Sequence, residues 1–211
     1  ITDVLSSWSG LRPLVEPGDH GAGGRHTPGS NEGQAADGSP KTNGSTARLS
    51  RDHTIVVSRS GLVTITGGKW TTYRKMAEDV VDTAIETAAL KPKNDTRTAS
   101  LPLIGGESFA PDGAATLQAD YGLAADTAEH LHHAYGDRAH LVAELARSGL
   151  GERLAAGHPY LEAEVVYVRD HEDAHFADDV LSRRLRLAFL DKAAALAAKD
   201  RVEELLAGDP V

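Results

Sequence analysis

The chain of 211 residues contains no cysteine. Disulfides, thiolate nucleophiles and cysteine-ligated metals are thereby excluded. It lacks any run of roughly 18 apolar residues, the length a helix needs to cross a bilayer, and its opening residues do not resemble a signal peptide. It also lacks a strand-Gly-x-Gly-x-x-Gly-helix unit with an acidic residue beyond it, so nothing here carries the usual signature of a dinucleotide pyrophosphate site. Positive charge is in deficit: 22 Lys and Arg against 31 Asp and Glu, a formal net charge of -9. Such a balance argues against nucleic acid as a partner and requires any bound anion to be met by a local cluster of Arg or Lys. The first residue is Ile1 rather than Met, which leads us to expect a segment of a longer protein.

What is present changes character along the chain. Residues 1–15 read as short extended structure with a turn at Ser9-Gly10. Residues 16–47 are rich in Gly, Pro, Ser, Asn and Thr and poor in branched apolar residues. Such a stretch buries too little surface to offset its ordering entropy and reads as a flexible insertion. His53 to Ser58 and Leu62 to Thr66 are β-branched runs separated by Ser60-Gly61, the pattern of a hairpin. Tyr73, Met76, Ala77, Val80, Val81, Ala84, Ile85 and Ala88 then recur at helical spacing, which predicts one amphipathic helix with a buried stripe, capped by Thr71 or Thr72. A linker containing Pro92 follows. Beyond Leu101 the strand signal disappears. Helices are expected over 112–120, 124–134, 137–147 and 160–172, with breaks at Tyr121-Gly122 and Tyr135-Gly136. A last helical stretch over 178–206 is expected to be interrupted at most once. The fold class is therefore an α/β fragment followed by an all-α domain, with the boundary near Ala89 to Ala99.

Chemistry concentrates at Gly67-Gly68-Lys69-Trp70-Thr71-Thr72-Tyr73-Arg74, where a strand ends in two glycines and a helix starts at once. Glycines admit close approach to the backbone. A helix N-terminus offers unpaired N–H groups and partial positive charge, suited to an anion or an electron-rich ring edge. The run is too short for a phosphate-binding P-loop, and an ordinary strand-helix turn with Lys69 in solvent fits the same residues. Arg12, held between Gly10 and Pro13 on stiff backbone, suits bidentate grip of a phosphate or carboxylate, or a surface ion pair. Arg51 is either a second anion ligand or the partner of Asp52. Among the histidines, His130, His132 and His133 fall in one predicted helix, His130 and His133 on one face, with His140 one helix further on, and His171-Glu172-Asp173-Ala174-His175 resembles the two histidines and glutamate of zinc proteases, a rival reading. Arg183, Arg184 and Arg186 read as helix-surface ion pairs with Asp178, Asp179 and Asp191.

Taken together, Trp8 to Leu14, Ser50-Arg51-Asp52-His53, Gly67 to Arg74 and, later, Glu164 to Arg169 with Asp179-Val180-Leu181 and Arg183-Arg184 resemble four successive segments of FAD-dependent glycerol-3-phosphate dehydrogenases. The resemblance implies that residues 1–90 are the end of an FAD- and substrate-binding domain of the DAO-like class, and that 91–211 form a helical C-terminal domain. It implies FAD as cofactor, with Gly67, Gly68, Lys69, Trp70, Thr71 and Thr72 at the flavin, and Arg12 and Arg51 on the phosphate of glycerol 3-phosphate. It further implies hydride transfer from C2 to the flavin, dihydroxyacetone phosphate as product, and a quinone, or in an oxidase branch oxygen, as electron acceptor. A homodimer, peripheral membrane association and a cytoplasmic location are expected with it. The catalytic base and the pyrophosphate site have no counterpart in this chain, so the piece alone is expected to be inactive; a non-catalytic helical interaction module is the alternative. Residues 16–47 and Leu185, where the family commonly has Thr, depart from the pattern.

Overall fold

The computed structural model describes residues 3–11, the backbone of Arg25 and His26, and residues 53–208. The chain divides into two units, Gly10–Leu101 and a second made of Ile1–Ser9 with Pro102–Val211.

The first unit carries an antiparallel sheet in chain order, β1 (Arg25–His26), β2 (His53–Val57) and β3 (Val63–Gly67). Apart from β1, residues 16–47 lie outside the described residues. β2 and β3 form the expected hairpin. Ile55 faces Ile65 and His53 faces Gly67, and the turn is closed by the Ser58 amide on the Leu62 carbonyl at 2.9 Å and the Gly61 amide on the Ser58 carbonyl at 3.0 Å. After a helical turn at Trp70–Thr72, α1 runs over Tyr73–Thr87. Its apolar stripe is not buried as the periodicity predicts. Met76, Val80, Ala84 and Ile85 are half-buried, Tyr73, Ala77, Val81 and Ala88 are exposed, and Thr83 is the buried residue of the helix. Fifteen helical residues extend roughly 22 Å, more than strands of five residues span at about 3.3 Å each, so the sheet backs only part of the helix.

The second unit is helical: α2 (Gly113–Tyr121), α3 (Ala125–Tyr135), α4 (Ala139–Leu145), α5 (Glu162–Glu172), α6 (Leu187–Leu190) and α7 (Lys192–Leu206). Leu131, Val142, Val165, Val168, Leu187 and Val202, drawn from five of these helices, meet in a core from which water is excluded. Each such side chain contributes roughly 1.5–3 kcal/mol by burial. Gly122 ends α2 in the left-handed region, at φ 68. Gly136 ends α3 at φ 57 and ψ -127. Asp173, at φ 58, ends α5. The stretch over 178–206 is broken twice rather than once: Arg186 takes φ 62, and Asp191 is extended and caps α7 by accepting the Ala194 amide at 3.0 Å. The opening residues join this unit. The Lys192 amide bonds to the Leu5 carbonyl at 3.3 Å, the Ser6 hydroxyl to the Ala188 carbonyl at 2.7 Å, and the Trp8 ring meets Phe189 edge-on at 5.1 Å. A short β element followed by a predominantly helical region is the architecture expected from the sequence.

Candidate functional site

At the end of β3 the chain makes two left-handed steps, Gly67 at φ 77 and Gly68 at φ 82. Side chains are disfavoured there, and at Gly68 one would also displace the Met76 thioether. A Cβ would stand 2.5 Å from the Met76 sulfur and 3.2 Å from the His53 Cβ. The backbone of Gly68 therefore lies directly on a floor made by Met76 and His53. Lys69 then enters the helical turn Trp70–Thr72, which Thr72 closes. Its amide and its hydroxyl both donate to the Lys69 carbonyl at 3.0 Å, and the Lys69 amide reaches the hydroxyl at 3.4 Å. Thr72 is thus committed to shaping the turn. Lys69, Trp70 and Thr71 stand exposed, with Trp70 stacked on Tyr73 at 5.7 Å. No carboxylate pairs with Lys69 among the described residues. The first N–H groups of such a turn have no partner within it, so this edge presents donors and one cation.

Beneath the turn lies a network not foreseen in the sequence. His53 Nε2 meets Asp79 Oδ2 at 2.9 Å, and Lys75 Nζ reaches Asp79 Oδ1 and Glu78 Oε2, each at 2.9 Å. Burial pushes the Asp79 carboxyl up, but the hydrogen bonds from Lys75 and His53 outweigh it and hold the group below the usual carboxylate range. The Glu78 and Asp79 carboxylates hold the Lys75 ammonium above its ordinary value. The available signals were the i,i+4 spacing of Lys75 and Asp79 and the strand register that sets His53 opposite Gly67. Arg74, part of the same motif, is already engaged: its guanidinium donates to the Thr98 carbonyl and, at 3.4 Å, to the Tyr73 hydroxyl.

The remaining candidates separate. Arg12 and Arg51 lie outside the described residues. The zinc-protease pattern fails on geometry. Helix α5 ends at Asp173, so His171 and His175 do not share a helical face. His175 pairs with Asp173 at 2.8 Å, and Glu172 holds Arg184 at 3.0 Å. His130 is taken by Glu164 at 2.7 Å and His140 by the Asp137 carbonyl at 2.7 Å. Arg183 pairs with Asp178 at 2.6 Å and Asp179 at 3.1 Å, as read from spacing, whereas Arg186 packs over the Phe189 ring at 5.9 Å.

Comparison with known proteins gives the arrangement a context. Residues 96–209 match the family model described as the C-terminal domain of alpha-glycerophosphate oxidase. The chain is 46% identical to the mitochondrial glycerol-3-phosphate dehydrogenase SDP6 of Arabidopsis thaliana, over 99% of this chain and 32% of that protein. It is 44% identical to the mitochondrial glycerol-3-phosphate dehydrogenase of Mesocricetus auratus, over 97% of this chain and 25% of that protein. The crystal structure of the glycerol-3-phosphate dehydrogenase from Bacillus halodurans complexed with FAD is similar at a TM-score of 0.61 and 29% identity, over 72% of this chain and 32% of that one. The chain spans a quarter to a third of the length of these relatives. The cytoplasmic location expected from the sequence is overturned, because the curated relatives are consistently named as mitochondrial. That location came with the family resemblance, and likeness to a family carries no compartment address. Among the described residues, no helix is long and apolar enough to cross a membrane.

Proposed function

The chain belongs to the FAD-dependent glycerol-3-phosphate dehydrogenase family, and from this premise we propose that it is the C-terminal portion of an enzyme oxidising sn-glycerol 3-phosphate to dihydroxyacetone phosphate. In this reading residues 1–90 complete the FAD- and substrate-binding domain in sequence, although residues 1–9 group with the helical unit and residues 91–101 with the sheet unit, and 91–211 are the helical C-terminal domain.

The observation that carries the reading is the backbone edge at Gly67 and Gly68. Two left-handed glycines, the second packed on Met76 and His53 on its inner side, lay bare main chain at the start of a helical turn, next to Lys69. A flavin ring edge is planar, rich in acceptors and gains negative charge on reduction, so it suits such donors. FAD, when bound, supplies the hydride acceptor. The residues of this chain then divide the remaining work. The exposed N–H groups of the Trp70 turn and the Lys69 ammonium stabilise charge at the ring. Arg12 and Arg51 grip the substrate phosphate, and that remote binding energy aligns the reacting carbon. Thr72 keeps the turn closed. Electrons leave to a quinone at the membrane surface, in the mitochondrial setting that the curated relatives share, from an enzyme that is a homodimer. The fragment by itself is inactive.

A second reading rests on the family model, which is described for an oxidase: oxygen would take the electrons directly. Steady-state oxidation of glycerol 3-phosphate by the full-length gene product separates the two. We expect reduction of a quinone analogue to exceed hydrogen peroxide formation by at least about tenfold, a difference of roughly 1.4 kcal/mol in barrier. Predominant peroxide formation establishes the oxidase. No turnover by a folded, flavin-loaded enzyme refutes both.

A further inference from the structure

We propose that His53 is a positioning residue for the cofactor edge, holding the Gly67–Lys69 backbone in its flavin-ready shape through Asp79; the proposal rests on the flavin reading of this turn.

Three observations meet at this one side chain. First, the register of the hairpin sets His53 directly across from Gly67. Second, its Cβ forms part of the floor that Gly68 rests on, 3.2 Å from where a Gly68 Cβ would stand, with the Met76 sulfur supplying the rest. Third, its ring is fixed at the other end, Nε2 to Asp79 Oδ2 at 2.9 Å, with side-chain exposures of only 22% and 28%. Asp79 is itself held: Lys75 takes its second oxygen at 2.9 Å, and its carbonyl accepts the Thr83 hydroxyl at 2.8 Å. His53 thus ties β2 to the second turn of α1, with the glycine edge lying over the tie. Left-handed glycines are the conformationally freest residues in a chain, so two in succession need an external constraint to present donors in one arrangement. Positional errors of a fraction of an ångström matter where donors must meet developing charge. His53 makes no claim to the flavin itself; it acts through the backbone of Gly67 and Gly68.

The test uses the FAD-loaded full-length enzyme and reads FAD dissociation by flavin fluorescence, the visible flavin spectrum, and Tm. We expect His53→Ala to weaken FAD binding by about tenfold, the scale of one lost charge-assisted hydrogen bond and its constraint, and to shift the flavin band. Asp79→Ala should do the same, and the double variant should be no worse than either single one, because both break a single tie. His53→Gln, which keeps an N–H donor, should recover most of the affinity. A merely structural role predicts lowered Tm with an unshifted band and unchanged dissociation, and that result overturns the proposal, as does additivity of the two alanines. Gly68→Ala separates this from the flavin reading. If His53→Ala is silent while Gly68→Ala weakens FAD binding, the tie is wrong and the edge is right. If both are silent, the edge is not the flavin site.

Discussion

Glu164 and His130 meet at 2.7 Å inside the helical unit, where the Glu164 side chain has no exposure to solvent. The same oxygen accepts the Tyr135 hydroxyl at 3.0 Å, and the other accepts the Leu161 amide at 2.7 Å. Leu161 is the residue before α5. The carboxylate therefore does two jobs. It satisfies an orphan amide at the helix start, and it pins α3 to α5 through two side chains of α3. Burial, and then the Glu164 charge, push the Tyr135 phenol well above its ordinary value, so it remains a donor throughout the working range.

Glu164→Ala should accordingly be among the most damaging substitutions in the helical unit. It leaves a phenol, an imidazole and an amide without their acceptor in a largely buried site, at a cost of roughly 3–5 kcal/mol when about 1–3 kcal/mol is lost per unsatisfied group. Glu164→Gln keeps one acceptor oxygen and should cost about 1–3 kcal/mol. Urea unfolding of the two variants tests the order; a glutamine as harmful as the alanine would mean that the charge, and not the acceptor geometry, is what matters.

Gly136 offers a purely steric test. Its backbone is at φ 57 and ψ -127, and a Cβ there would run into the Gly105 carbonyl, whose oxygen accepts the Asp137 amide at 2.8 Å. Gly136→Ala adds backbone strain of about 1–3 kcal/mol to an overpacking cost of similar size. Gly157, at φ 77 with nothing within 4 Å of its Cβ position, should lose only about 1–2 kcal/mol on the same change. Equal Tm losses for the two variants would contradict the close approach of Gly105 and Gly136.

Much of this arrangement is legible in the residues, for physical reasons that also explain the rest. The hairpin follows from two β-branched runs around Ser60-Gly61, and the ends of α2 and α3 from Gly122 and Gly136, because glycine marks left-handed backbone. The ends at Asp173 and Arg186 are invisible to that rule, since both are left-handed without being glycine. The stripe on α1 shows a shared face but not what covers it, hence the exposed Tyr73 and Val81. At the site, Gly67 to Thr72 stand out as a contiguous run. His53 and Asp79 do not, because they lie 26 positions apart and only the strand register brings them to one place. The pattern from His171 to His175 misleads in the opposite sense: its spacing presumes a helix that Asp173 ends.

Arg12 is the substrate-site prediction that follows from the proposed function. Its guanidinium cannot lose its charge near neutral pH, and the sequence sets it between Gly10 and Pro13. In the full-length enzyme, Arg12→Ala should lower kcat/KM for glycerol 3-phosphate by at least about tenfold, with roughly 1.5–3 kcal/mol expected for a lost charged hydrogen bond. Lysine should restore part of this, since it keeps the charge without the planar fork. Flavin content per chain should stay unchanged. Loss of flavin with intact kcat/KM per remaining flavin would move Arg12 to the cofactor side or to the fold.

Acid sensitivity should arise at the caps of the helical unit. The Asp191 carboxyl is held below its ordinary value first by the Ala194 amide and then by His158, 3.4 Å away. Asp179 is held low in the same way, first by the amides of His175 and Phe176, each 3.0 Å from its carboxylate. The sign follows from linkage. A group whose folded pKa is depressed adds stability that is fully present above its unfolded pKa, about 3.9 for Asp, and that stability is lost as pH falls through the folded pKa. Both aspartates therefore stabilise the fold at neutral pH and cease to do so on acidification. Asparagine keeps an acceptor for the cap but does not titrate. Asp191→Asn should consequently lower Tm modestly at pH 7, less than Asp191→Ala does, and the gap between wild type and Asp191→Asn should narrow steadily below about pH 4. Thermal unfolding of the three proteins from neutral pH to about pH 3 measures this directly. A gap that stays constant across the series would show that the cap works as a neutral hydrogen bond and that its charge contributes nothing to the fold.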